Sequence, residues 1–133
     1  MQIEVLEKEK VKVMQPLVLA MIGDSVQTLF VRTYIAKEFG VKVNKMNKMV
    51  SSVVSAGSQF KTFKKIEESL SEEEQDIARR ARNSHIHTKA KNFSYAEYIH
   101  ATALEALIGY LHLSGQNERL NQILTLSLEE LEQ

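Results

Sequence analysis

The sequence predicts an all-α single domain, on three observations. The chain holds one proline, Pro16, and five glycines in 133 residues, so little interrupts helical patterning. Alternating β-branched runs are scarce. Two Ser-x-x-Glu spacings, Ser71/Glu74 and Ser94/Glu97, mark reciprocal caps in which each side chain serves the other's backbone N–H.

Each element can be placed in order. Pro16 suits the first turn of a helix, where its missing N–H costs nothing. That helix runs to about Phe39, with Gly40 as its stop. Asn44 is positioned to cap a second helix through "KMNKMVSSVVSAG", and a third covers "SQFKTFKKIEESL". Ser71 opens "EEEQDIARRAR". The stretch "NSHIHTKAKNFS" lacks helical periodicity and reads as an exposed basic loop. Ser94 opens "YAEYIHATALEALIGYLHLSG", which Gly115 ends, and "NERLNQILTLSLEELEQ" is a short amphipathic last helix. No internal repeat, low-complexity linker or second domain is evident, so residues 1–133 read as one domain.

Composition narrows the chemistry. There is no cysteine, which excludes disulfides, thiolate metal sites and a cysteine nucleophile. No apolar run approaches the roughly 18 residues needed to span a bilayer. "MQIEVLEKEK" alternates acid and base and is no signal peptide. A cytoplasmic protein is expected. The formal net charge of zero hides segregation: no acid occurs from Phe39 to Ile66, where six lysines include Lys61, Lys64 and Lys65. None occurs from Ile77 to Ala96 either, where Arg79, Arg80, Arg82, Lys89 and Lys91 stand. Such runs suit an anionic partner, although each alone is also what a solvated helix face looks like.

Two carboxylates stand apart. In "LAMIGDSVQTLFV" Asp24 is the only acid between Glu9 and Glu38. Ile22, Val26, Leu29 and Phe30 make one stripe, while Leu17, Met21, Val31 and Ile35 share the face of Asp24. A helix apolar nearly all round is expected to be central and buried. The positions three and four residues away are Ala20, Met21, Gln27 and Thr28, none of them basic. Glu105, in "ATALEALIGYL", is the only Asp, Glu, Lys or Arg between Glu97 and Glu118. A buried, unpaired carboxylate costs several kcal/mol or becomes neutral, so it needs a hydrogen-bond network, a protonated state or a cation. Two such acids packed together repel unless a cation lies between them. Magnesium is suited, since it takes oxygen ligands, keeps several waters and needs only one or two carboxylates.

These two stretches resemble a known family. "LAMIGDSVQTLFV" is similar to the signature helix of the ribonuclease III family, whose core reads Leu-Gly-Asp-Ala-Val. "TALEALIGYL" is similar to its second catalytic helix, Phe-Glu-Ala-Leu-Ile-Gly. "MVSSVVSAGSQF" and "ARRARNSH" resemble the short variant, mini-ribonuclease III, and the resemblance spans nearly the whole chain. The larger enzymes carry four catalytic acids per site. Two of those positions are Ala20 and Thr102 here, leaving Asp24 and Glu105, the reduced pair of the mini variant.

The resemblance implies the ribonuclease III endonuclease-domain fold, a homodimer, and hydrolysis of phosphodiesters in double-stranded RNA with Mg2+ on Asp24 and Glu105. Thr102 would orient metal-bound water. It further implies large-subunit ribosomal RNA precursor as substrate and a ribosomal protein as a candidate assistant. No double-stranded-RNA-binding domain follows before Gln133, so RNA is expected to be gripped by the catalytic domain itself. Arg79, Arg80, Arg82, Asn83, His85, Lys89 and Lys91 are candidates, with Lys61, Lys64 and Lys65 as a second strip. His85 and His87 form a His-x-His that suits RNA contact, zinc or plain surface, and His100 and His112 are expected to be packing or surface residues rather than catalysts. Met21 and Phe30 are dimer-interface candidates. The missing acids at Ala20 and Thr102 leave a silent RNA-binding or dimerisation module on the same fold as the alternative.

Overall fold

A computed structural model describes residues 4–85 and 94–133. It contains helices α1 (Lys8–Lys12), α2 (Pro16–Glu38), α3 (Val43–Val54), α4 (Ala56–Ile66), α5 (Glu72–Arg82), α6 (Ser94–Leu113) and α7 (Asn117–Ser127), with no strand among the described residues. Short 3-10 turns extend α4, α5 and α7.

Punctuation works largely as expected. Pro16 begins α2, and Gly40 (φ 58°) and Gly115 (φ 71°) follow α2 and α6 in left-handed conformations that other residues adopt only with strain. Ser71 and Glu74 form the full reciprocal cap, each bond 3.1 Å long. Two boundaries differ. Asn44 does not cap α3: the Lys42 carbonyl accepts the first helical bond from Met46, so the helix starts two residues earlier and Asn44 sits in its first turn. The "SAG" expected to end α3 starts α4 instead, because Ser55 turns extended and its hydroxyl accepts from the Ser58 N–H. The described part of α6 begins at Ser94.

Helix α6 is the axis of the domain. Every residue from Ala101 to Leu111 is buried except Glu105. Helices α2, α4 and α5 pack around it, and Leu104, Leu107, Ile108 and Leu111 join Leu19, Phe63, Ile77 and Ile123 in the main core. A second cluster, Val31, Ile35, Met49, Val50 and Val53, seats α3 on the later half of α2.

The α2/α6 crossing is backbone on backbone. A Cβ placed on Gly23 would lie 1.7 Å from the Glu105 carbonyl oxygen, and one on Gly109 would lie 2.0 Å from that of Leu19. No side chain fits either position, so these glycines set the distance between the helices. The last residues close over α3 and α4: the Glu132 N–H donates to Ser52 Oγ, and Lys65 Nζ reaches Glu129 and Glu130 at 2.9 and 2.8 Å.

Two acids of α5 also meet α6 and α7. Glu74, only 5% exposed, receives Arg119 through two parallel hydrogen bonds of 3.0 and 3.1 Å. Glu73 accepts from the Tyr110 hydroxyl at 2.8 Å and lies 3.5 Å from Lys8 Nζ. The Tyr110 bond, with the charges of Lys8 and Lys12, holds Glu73 below the usual glutamate range. Burial, then the bond to Glu73, pushes the phenol up to about 12.

Candidate active site between helices α2 and α6

The glycine crossing decides where the two isolated acids go. Gly23 lies against the main chain of Glu105, so the next residue of α2, Asp24, is delivered to the Glu105 side chain. The two carboxylates are near enough for Asp24 to act on the Glu105 carboxyl. Their environments are unequal. Asp24 is exposed and Glu105 partly buried, so the expectation of a buried Asp24 is corrected. Helix α2 is covered on one side only, by Leu19, Ala20, Gly23, Gln27, Val31 and Ile35. Leu17, Val18, Met21 and Leu29 remain 43–74% exposed. At about 100° per residue, Asp24 falls on the seam between those faces.

Glu105 therefore carries the electrostatic penalty. Burial pushes its carboxyl up to about 7, helped by the hydrogen bond to Asp24 and by the negative charge of Asp24, and opposed by a hydrogen bond from Gln59. Removing water and placing a second carboxylate alongside both disfavour the ionised form. A cation would relieve both effects, so this donor set fits a hard divalent ion. No cluster of three or more His, Cys, Asp or Glu able to hold a metal occurs among the described residues.

Two functional candidates escaped sequence reasoning. Gln59 Nε2 donates to Glu105 Oε2 at 3.3 Å and to Gln27 Oε1 at 2.8 Å. Gln27 is wholly buried and Gln59 is 3% exposed. The Gln27 amide nitrogen has no partner among the described residues. A buried donor left unpaired costs about 1–3 kcal/mol, so Gln27 is a poor choice for stability alone. The only signal in the sequence is that Gln27 lies one turn after Asp24.

The positions of the absent acids are closed. Ala20 and Thr102 are 7% and 6% exposed, and the Thr102 hydroxyl donates to the Tyr98 carbonyl at 3.0 Å.

The basic runs meet through aromatic rings. Arg82 of α5 lies over Phe63 of α4, 5.9 Å from the ring centre, and Lys64 lies over Phe60 at 5.7 Å. His100 packs between these rings at 5.4 Å from each, its Nδ1–H donating to the Ala96 carbonyl. Lys61 and Asn83 are exposed. Lys64 pairs with Glu67, and Arg79 with Asp76, both within their own turns. Arg80 departs from expectation: it donates to the carbonyls of Lys12 and Met14 at 2.6 and 3.1 Å, tying α5 to the α1–α2 turn. Lys65 is engaged by Glu129 and Glu130, whose hydrogen bonds hold its pKa above the usual lysine range. Lys89, Lys91, His87 and the His85 side chain lie outside the described residues. Of the two dimer candidates, Met21 is 74% exposed, whereas Phe30 is half-buried against both hydrophobic clusters.

The architecture and paired acids match a known class of protein: residues 17–116 match the Ribonuclease III domain family. A Mini-ribonuclease 3 from Thermoanaerobacter sp. is 45% identical over 98% of this chain and 92% of its own. One from Staphylococcus aureus is 42% identical over 86% and 87%. A crystal structure of a Fusobacterium nucleatum protein superposes with a TM-score of 0.77 at 33% identity, covering 88% of this chain and 93% of that one. The chain belongs to the mini-ribonuclease III branch of the ribonuclease III family, and is a double-strand-specific endoribonuclease. Metal dependence is general in that family.

Proposed function

We propose that Asp24 and Glu105 are the catalytic pair, that they hold Mg2+, and that the natural substrate is duplex in the large-subunit ribosomal RNA precursor. The observation that carries the site is the meeting of the two acids at the glycine crossing, with no basic side chain donating to either among the described residues. Bound Mg2+ supplies an activated water and neutralises charge on the phosphate. Asp24, on the exposed seam, meets the scissile phosphate side, while Glu105 anchors from the interior and Thr102, one turn earlier, supports it. Duplex RNA is read by shape through phosphates and 2′-hydroxyls. Lys61, Lys64, Arg79, Arg82 and Asn83 are proposed contacts, with His85, Lys89 and Lys91. Arg80 and Lys65 first have to leave their present partners. Such contacts release counterions, so affinity falls steeply with salt.

A homodimer in the cytoplasm places one such site on each RNA strand. The exposed apolar residues Leu17, Val18, Met21 and Leu29 support it, and molar mass by light scattering checks it. A ribosomal protein as assistant is tested by adding one to the cleavage assay.

The decisive experiment is cleavage of duplex RNA, including duplex from the precursor ends, with and without Mg2+. Wild type should cut only with the metal. Asp24→Asn should cut roughly 10²–10³-fold more slowly while binding duplex as before. Equal rates for the two proteins would remove Asp24 from the site, and binding without cutting by wild type would favour a silent RNA-binding module.

A further inference from the structure

Gln59 has a property that other polar partners of a buried carboxylate lack: it orients without neutralising. A lysine or arginine there would satisfy Glu105, but would also cancel the charge that draws a divalent cation. An apolar residue would leave the carboxylate free to swing. The amide is itself constrained. An ionised carboxylate only accepts, so the –NH2 edge of Gln59, not its carbonyl, must face Glu105. Gln27 enforces that choice, because its Oε1 accepts the other N–H of the same nitrogen at 2.8 Å. With Gln27 wholly buried and Gln59 3% exposed, water does not offer either amide an easy alternative. The Gln27 nitrogen is left without a partner among the described residues.

We propose that Gln59 is the positioning residue for Glu105, with Gln27 fixing which edge of the Gln59 amide faces the carboxylate, so that the interior acid is held ready for a divalent cation. The proposal rests on the assignment of Asp24 and Glu105 as the metal-holding pair. Partners that orient a metal ligand typically change affinity or activity by about 10–100-fold when removed.

The test uses the full chain and Mn2+ as the probe ion, its binding followed by loss of the free-ion electron paramagnetic resonance signal. Gln59→Leu should weaken Mn2+ binding about 10–100-fold and raise the Mg2+ concentration for half-maximal cleavage by a similar factor. Duplex affinity without metal should stay within about 3-fold, because Gln59 makes no RNA contact in this scheme. Gln59→Lys should weaken Mn2+ binding at least as much, through the competing charge. Gln27→Met should give a smaller loss in the same direction. If the leucine variant fails to fold, Gln59→Met serves in its place. Unchanged Mn2+ affinity in folded Gln59→Leu overturns the proposal, since a purely structural glutamine predicts that result. Asp24→Asn and Glu105→Gln separate the two levels: if they bind Mn2+ as wild type does, the metal site itself is wrongly placed. If they lose it while Gln59→Leu keeps it, only the positioning role fails.

Discussion

Two pairs of acids border helix α6, and their surroundings are opposite. Around Glu73 and Glu74 the fold supplies a guanidinium, an ammonium, a phenol and a backbone cap. Around Glu105 it supplies one amide at 3.3 Å and another acid. Glu73 consequently lies below its ordinary range and Glu105 well above it, at about 7. Burial is the first cause of the rise at Glu105. Glu74 is more enclosed still, but there the Arg119 guanidinium supplies a compensating charge, and the two pairs differ in whether one was built in. Where an acid holds helices together, this protein neutralises it internally. Where it serves chemistry, the countercharge is left to come from outside.

The largest effect that would expose this division comes from the compensated pair. Glu74→Ala removes the Glu74 half of the reciprocal cap and strips Arg119 of its bidentate partner, and should cost about 3 kcal/mol in a denaturant melt. The Mg2+ dependence of the remaining folded enzyme should not move. A shift there would mean that the two pairs communicate along α6.

Next in size is the pH dependence of the metal-free protein. Because the folded carboxyl of Glu105 titrates near 7, the unfolded chain gives up that proton first. Its contribution to stability is whole below about pH 4.5, declines as pH rises, and is gone above about pH 7. The full shift corresponds to at most about 3 kcal/mol, and screening at the open edge of the site reduces this to about 2. Melts from pH 4 to 8 of wild type against Glu105→Gln isolate it: their difference should grow with pH and shrink on adding Mg2+. A difference independent of pH would show that Glu105 is comfortable without a cation.

The smallest effect belongs to Tyr110→Phe, which removes one hydroxyl. The melting temperature should fall by only about 3–5 °C, and the Glu73 carboxyl, followed by NMR titration, should move back towards the ordinary range. No change in that titration would mean that Lys8 and Lys12, not the phenol, hold Glu73 down.

Much of this was legible in the sequence because local chemistry carried it. Pro16, Gly40, Gly115 and the Ser71/Glu74 spacing act within a few residues of themselves, and the isolation of Asp24 and Glu105 is visible by inspection. What failed depended on partners remote in sequence. A helix apolar on all sides does not reveal which side is covered, and only the crossing at Gly23 and Gly109 shows that one flank of α2 stays open. That is why Asp24 reads as buried and is exposed. Gln27 and Gln59 are 32 residues apart, and glutamine on a helix ordinarily faces water. Arg80 looks like its neighbours in a basic run, yet two carbonyls of the α1–α2 turn claim it.

The glycine crossing also acts as a gauge. The spacing of the acids is set by main chain touching main chain, so repacking the core elsewhere leaves it unchanged. Sliding α2 by one residue would bring the Cβ of Ile22 or Asp24 to the place only Gly23 fits, so the helices are indexed in register as well as in distance. The bite of the two carboxylates is therefore adjustable only through side-chain length, as in Asp24→Glu, because the helices that carry them have no play left to give.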